Sequence, residues 1–90
     1  MTQMEKLVML LVKTHIPFQV WNQPLFEVPK VSIPCQKDEV FSIVCNPMSY
    51  GHEKGLLEIC ERDGMDDVVG WLTAEDVMNI VYDWVLTEVD

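Results

Sequence analysis

The side chains of this sequence that could bind a metal or act as nucleophiles are three cysteines and two histidines. Cys35, Cys45 and Cys60 stand far apart, and the sequence has none of the close C-x2-C pairs that structural zinc sites use. Cys60 and His52 could form a nucleophilic pair, but a reactive cysteine needs an electropositive environment, and the charged neighbours of Cys60 are mostly acids. We therefore predict no metal, no cofactor and no enzymatic activity.

Two glycines and one lysine in the segment 49–55 raise the question of a phosphate-binding loop. The Walker spacing is missing, and the segment precedes a predicted strand, whereas a phosphate-binding loop opens a helix. Gly51 and Gly55 are better explained as turn positions with positive φ. This interpretation leaves Tyr50 displayed on a loop, where binding residues often lie.

The distribution of charge is the most informative feature of the sequence. The 15 acids and 6 bases give a net charge of −9. Residues 1–45 hold four acids and four bases, whereas residues 46–90 hold eleven acids and two bases, so the whole excess belongs to the second half. A solvated face that confers solubility and a negative surface that attracts a basic partner both explain this pattern.

If the acidic surface is functional, we expect the partner to bind the acids of the predicted hairpin and last helix, with two aromatic residues as further candidates. The candidate residues are Glu58, Glu61, Asp63, Asp66, Asp67, Glu75, Asp76 and Asp83, together with Tyr50 and Trp21. The sequence lacks the clustered Lys and Arg that phosphates and anionic lipids attract. We therefore expect no direct binding to nucleic acid or to membrane.

Two predicted helices stand at the ends of the chain. Residues 1–15 place apolar side chains at helical spacing on one side, and a proline ends this helix. The last helix begins after Thr73, a favourable N-cap that is followed by acids in the first turn. Asp76 stands where a capping box has Glu or Gln, so the box is expected to be imperfect. The apolar stripe of this helix runs from Ala74 to Val85.

Apolar side chains between the helices recur with a period of two, which predicts strands. The segment 18–33 is interrupted by prolines and is predicted as one edge strand with a kink or bulge. Residues 40–45 are apolar on nearly every position and predict a central strand. Residues 56–61 and 68–72, joined through Asp63-Gly64, predict a hairpin.

These elements predict one domain over residues 1–90, of the α+β class. We expect two layers, in the order helix, four or five mostly antiparallel strands, helix, with both helices on one face of the sheet. A few apolar helix residues do not fit the core-facing stripes. Met9, Leu10, Tyr82 and Leu86 could form a patch for a symmetric homodimer.

Two segments of the second half form a distinctive combination, S-Y-G followed by G-L-L-E-I at 49–59 and V-V-G-W-L-T-A-E-D-V at 68–77. This combination resembles small uncharacterised proteins encoded by phages and prophages of Gram-positive bacteria. The resemblance implies no known activity and no catalytic residues. It implies a genomic setting in which many short acidic proteins bind and block host machinery, including anti-CRISPR and other anti-defence inhibitors.

We therefore predict a small acidic interaction protein that binds and inhibits a basic host protein. A nucleic-acid-binding host protein is a natural target, because carboxylates can occupy the place of phosphates. The alternative is a homo-oligomeric structural or accessory protein without an inhibitory role. We expect the protein to act in the host cytoplasm. The apolar run at 7–12 is too short for an export signal, and three widely spaced cysteines are typical of a protein whose thiols stay reduced.

Overall fold

The computed structural model describes residues 1–22, 28–62 and 68–88 of the 90-residue chain. The elements follow in the order α1 (Gln3–Lys13), β1 (Gln19–Asn22), β2 (Pro29–Ile33), β3 (Phe41–Val44), a 3-10 turn (His52–Lys54), β4 (Leu57–Glu61), β5 (Val68–Leu72) and α2 (Ala74–Glu88). The predicted α+β class is confirmed. The two helices flank five described strands that form one antiparallel sheet.

The sheet is a meander in which the strand order follows the chain, β1-β2-β3-β4-β5. The register places Val31 opposite Ile43, Ile43 opposite Ile59, and Ile59 opposite Val69. Because side chains alternate between the faces of a strand, this row defines the face that meets the helices. The strand predicted to be central is confirmed as β3, which lies third of five.

The prediction of one kinked edge strand over 18–33 is wrong. The segment contains two strands, β1 and β2, which pair antiparallel with Asn22 opposite Pro29. Pro29 is the first residue of β2, a position where a missing N–H does not interrupt the hydrogen-bond ladder. The segment therefore forms two antiparallel strands, and β2 lies inside the sheet, between β1 and β3. Pro24, which contributed to the prediction, lies outside the described residues.

Helix α1 is capped at its start by a capping box that the sequence analysis did not identify. The Thr2 N–H donates to Glu5 Oε1 at 2.9 Å, and the Glu5 N–H donates to Thr2 Oγ1 at 3.1 Å. The hydrogen bond from the Thr2 backbone lowers the pKa of Glu5. The helix ends at Lys13, two residues before the predicted end, and His15 adopts a left-handed φ of 58°.

Helix α2 begins where the sequence predicted, and its capping box is complete although the acid is an aspartate. The Asp76 N–H donates to Thr73 Oγ1 at 3.2 Å, and the Thr73 N–H donates to Asp76 Oδ2 at 3.0 Å. A further N-terminal amide, that of Ala74, donates to Gln3 Oε1 of α1 at 2.8 Å. This bond joins the first turns of the two helices.

Both helices cover the same face of the sheet. The buried side chains of α1 and α2 belong to one hydrophobic core with those of the strands, and its described members include Leu7, Leu11, Val77, Val81, Val31, Ile33, Phe41, Ile43 and Ile59. Phe41 and Trp84 meet edge to face, with ring centroids 5.6 Å apart. Neither described helix has the length and apolar run that crossing a bilayer requires.

Candidate partner-binding surface

Three of the predicted acidic residues are bonded within the fold. Glu58 accepts the Tyr50 N–H at 2.6 Å, and Asp76 belongs to the cap of α2. Glu75 lies 2.5 Å from the Lys6 ammonium, which donates a hydrogen bond that lowers the pKa of Glu75. Each of these carboxylates has a structural role, so each is less available to a partner than its sequence position suggested.

Glu61 and Asp83 are different, because the fold brings them to one groove. Glu61 follows Leu57 and Ile59 at a period of two on β4 and therefore ends the core-facing row of that strand. Asp83 follows Ile80 by three residues, so both lie on one stripe of α2. Both carboxylates line an open groove of about 420 Å³ between the end of β4 and the C-terminal half of α2.

The floor of this groove is apolar and aromatic. Phe41, Ile80 and Trp84 line it together with Thr87. A smaller cavity of about 100 Å³ shares Phe41, Glu61 and Ile80 with the groove and is also lined by Ile59 and Val69. Phe41 is buried and Trp84 is half-buried, so the indole is fixed by the core but retains a surface toward the solvent. We call this site the β4–α2 groove, defined by Phe41, Glu61, Ile80, Asp83, Trp84 and Thr87.

Neither carboxylate of the β4–α2 groove has a base within 4.0 Å. All six lysines and arginines and both histidines lie among the described residues. Within that part of the chain, the ion pairs shorter than 4.0 Å are Lys6 with Glu75 and Lys30 with Glu39. The last turn of α2, which reaches the groove at Thr87, carries no base either, so the negative end of the helix dipole adds to the field of the acids.

Tyr50 is displayed as predicted, with 61% of its surface exposed. Its backbone is fixed on the sheet, because the N–H donates to Glu58 and the carbonyl accepts the Trp71 N–H at 3.4 Å. The predicted positive φ angles of Gly51 and Gly55 are confirmed at 92° and 70°. The loop therefore presents an exposed aromatic side chain from a backbone that is hydrogen-bonded to β4 and β5.

Trp71 is a candidate that the sequence analysis missed. Its φ is 62°, which is unusual for a residue with a bulky side chain, and half of its surface is exposed. The Lys54 ammonium lies 5.7 Å from the centre of its ring. The left-handed backbone turns Trp71 away from the regular pattern of β5, and no local sequence signal predicts that.

Trp21, the other predicted aromatic residue, belongs to a polar network on the face of the sheet opposite the helices. Its Nε1–H donates to Ser32 Oγ at 2.8 Å, and the fully buried Ser32 hydroxyl donates to Glu39. Lys30 lies 3.4 Å from the Glu39 carboxylate and 5.0 Å from the centre of the Trp21 ring. The indole is thus half-buried and already hydrogen-bonded.

The remaining predicted acids, Asp63, Asp66 and Asp67, lie outside the described residues. In the sequence they follow Glu61 and Arg62, and the segment 63–67 itself contains no base. The described part of the chain therefore places two of the predicted acids, Glu61 and Asp83, in one site. It separates them from Tyr50, Trp21 and the acids at the start of α2.

The cysteine and histidine that approach each other are not the pair suggested by the sequence. Cys45 Sγ lies 3.9 Å from His52 Nδ1, whereas Cys60 lies on β4 and is half-buried. Partial burial raises the pKa of the Cys45 thiol, which disfavours the thiolate that nucleophilic catalysis needs. Within residues 1–22, 28–62 and 68–88, no three His, Cys, Asp or Glu side chains are grouped to hold a metal ion.

A second groove differs from the β4–α2 groove in its charge. It has a volume of about 330 Å³ and is lined by Met4, Glu5, Val8, Val20 and Pro29. Its carboxylate, Glu5, is bound to the Thr2 backbone in the cap of α1. The β4–α2 groove instead combines an apolar floor with two carboxylates that make no bond within the described chain.

No family model matches this chain, and no curated protein or solved structure is significantly similar to it. The geometry and charge of the surface are therefore the basis on which a function can be assigned.

Proposed function

We propose that this protein is a small acidic interaction protein that binds a basic protein and inhibits it. The observation that carries the proposal is the uncompensated charge of Glu61 and Asp83, which line one groove without a base within 4.0 Å. Carboxylates placed in this way attract cations over a distance of about one Debye length, roughly 10 Å at 0.1 M salt. The same charge repels phosphates, so the partner is a protein.

The proposed partner is a nucleic-acid-binding protein of a bacterial host. A protein that binds phosphates presents clustered Lys and Arg, which a surface of carboxylates complements. The sequence resemblance to phage and prophage proteins supports a host target, and anti-CRISPR or other anti-defence inhibition is the specific form that it suggests. In this role the protein acts in the host cytoplasm without catalysis.

Affinity capture from a bacterial extract tests the proposal when it is combined with matched charge reversals. We expect a basic protein to be retained at about 0.05 M salt and released at about 0.5 M, because screening shortens the range of the attraction. Asp83→Lys should reduce retention. Glu53→Lys is the control, because it changes the charge equally but lies in the turn before β4, at the opposite end of that strand from Glu61.

Three outcomes would contradict the proposal. Retention that is insensitive to salt would mean that the acidic surface serves solubility alone. An equal reduction by Asp83→Lys and Glu53→Lys would mean that retention depends on net charge and not on the β4–α2 groove. A retained protein that binds beside nucleic acid, instead of competing with it, would rule out mimicry of phosphates.

A second candidate function is self-association, and the exposure of apolar residues on the two helices favours it. Leu86 is 70% exposed, and Met9 and Tyr82 are each exposed by about two fifths. Leu10, the fourth residue of the predicted patch, instead packs against the core. Sedimentation of the purified protein tests this alternative: a dimer that Met9→Lys and Leu86→Lys dissociate would support it, and a monomer at tens of micromolar would exclude it.

A further inference from the structure

The β4–α2 groove has the chemistry of a pocket for one kind of side chain. Two elements that are far apart in the sequence supply one carboxylate each, Glu61 from the end of β4 and Asp83 from α2. The floor between them is built from Phe41, Ile80 and Trp84. A side chain that complements both the carboxylates and the apolar floor must carry a positive charge on an apolar stem.

The surroundings of the groove add to its preference for a cation. Neither carboxylate accepts a hydrogen bond or forms an ion pair within the described residues, which include every base of the chain. Thr87 lies in the last turn of α2, where orphan carbonyl groups carry partial negative charge and where a base is normally favourable. The last turn of α2 contains no base, so a cation from another molecule can supply the positive charge that offsets the helix dipole.

From this complementarity we propose that the β4–α2 groove binds an arginine side chain of the basic partner. The planar guanidinium offers five donors, which suit two separate carboxylates, and it stacks on aromatic rings such as the Trp84 indole. A lysine ammonium is a compact and strongly hydrated charge, so it loses more solvation against the same apolar floor. The inference rests on the proposed function, since it names the specificity-determining contact with the partner.

Binding of short peptides, followed by NMR on the full-length protein labelled with 15N, tests the inference without the partner. The probes are acetyl-Gly-Arg-Gly-amide, its lysine counterpart, and its citrulline counterpart, which keeps the shape of arginine but has no charge. We expect the arginine peptide to shift the Trp84 indole and Ile80 amide signals saturably. The indole signals of Trp21 and Trp71 should not move. The citrulline peptide should bind about tenfold more weakly, since a charge-assisted hydrogen bond contributes about that factor.

Matched variants connect the signal to the two carboxylates. Asp83→Asn and Glu61→Gln should each weaken the arginine peptide by about tenfold. Glu53→Gln should leave its binding unchanged, because Glu53 is exposed at the other end of β4. Far-ultraviolet circular dichroism of each variant checks that the fold is intact. Equal binding of the arginine and citrulline peptides, or of the arginine and lysine peptides, would overturn the inference, as would an unchanged affinity in Asp83→Asn.

The outcome also separates this inference from the proposed function. If the peptides do not bind the groove but a captured protein still shows salt-dependent binding that Asp83→Lys weakens, the pocket is refuted and the function stands. If the arginine peptide binds as expected but no basic protein is retained from an extract, the pocket stands and the proposed function fails.

Discussion

Replacing Gly70 with alanine should destabilise the protein, because Gly70 lies directly beneath Tyr50. A Cβ atom at position 70 would stand 2.2 Å from Tyr50 Cβ and 3.0 Å from the Tyr50 carbonyl oxygen. Carbon atoms pack at roughly 3.5–4.0 Å, so the loop or the strand would have to move by about 1.5 Å. The loop cannot move freely, because the Tyr50 N–H is bonded to Glu58 and its carbonyl to the Trp71 N–H.

The expected cost is about 2–3 kcal/mol in the free energy of unfolding. Overpacking alone costs about 1–3 kcal/mol, and weakening the Tyr50 to Glu58 hydrogen bond adds to it. For a chain of this size, each kcal/mol corresponds to a fall in Tm of about 4–8 °C. Urea unfolding followed by circular dichroism measures the change directly.

Gly55→Ala is the matched control, since it adds the same methyl group at a position where that group meets no neighbouring atom. A Cβ at position 55 would meet no atom within 4 Å, although the φ of 70° makes alanine unfavourable there. We expect a cost of about 1 kcal/mol from that backbone conformation. In a Tyr50→Gly background, Gly70→Ala should cost less, because the Cβ that it meets is gone. A Gly70→Ala variant within about 0.5 kcal/mol of the original protein would refute the packing of Tyr50 on β5.

Three further predictions concern the cap, the core and the thiol. Thr2→Ala should cost about 1 kcal/mol at neutral pH through the lost N-cap. The folded-state pKa of Glu5 is lowered, chiefly by the Thr2 backbone N–H, so the stabilising contribution of Glu5 is present above the ordinary pKa of 4.5 and is lost as the pH falls through the lowered pKa. Urea titrations should therefore show the stability difference between Glu5→Gln and the original protein narrowing in acid. Ile43→Ala should cost about 2–4 kcal/mol in urea unfolding, because Ile43 is fully buried at the centre of the sheet. Iodoacetamide should alkylate Cys45 more slowly in the folded protein than in urea, since burial raises the pKa of the thiol.

Several parts of the fold could be predicted because their signals are local. The bounds of β5 and the start of α2 were predicted from a hairpin signal, Asp63-Gly64, and from an N-cap, both of which act over a few residues. The turn glycines at 51 and 55 are likewise defined by the conformation of one residue. The segment 18–33 is harder to interpret, because prolines in an apolar segment indicate a kinked edge strand and a chain reversal equally well.

The candidate site was less predictable, because it depends on long-range packing. The period of two does place Glu61 on the same face as Ile59, and the helical period does place Asp83 beside Ile80. The sequence does not indicate that these two residues share one groove, since that requires the C-terminal half of α2 to lie over the end of β4. The sequence also does not distinguish these acids from Glu58, whose carboxylate accepts the Tyr50 N–H, although it does mark Asp76 as a capping residue.

The association rate of the captured basic protein, measured against ionic strength, tests the central claim most directly. We expect the rate constant to fall steeply with salt for the original protein and to be lower, with a weaker dependence on salt, when Glu61 and Asp83 are replaced with lysine. Reversal of Asp63, Asp66 and Asp67 should act in the same direction, and Glu53→Lys should have a much smaller effect. Equal rate constants for the original and reversed proteins, with no dependence on salt, would contradict the claim that these acids bind the partner.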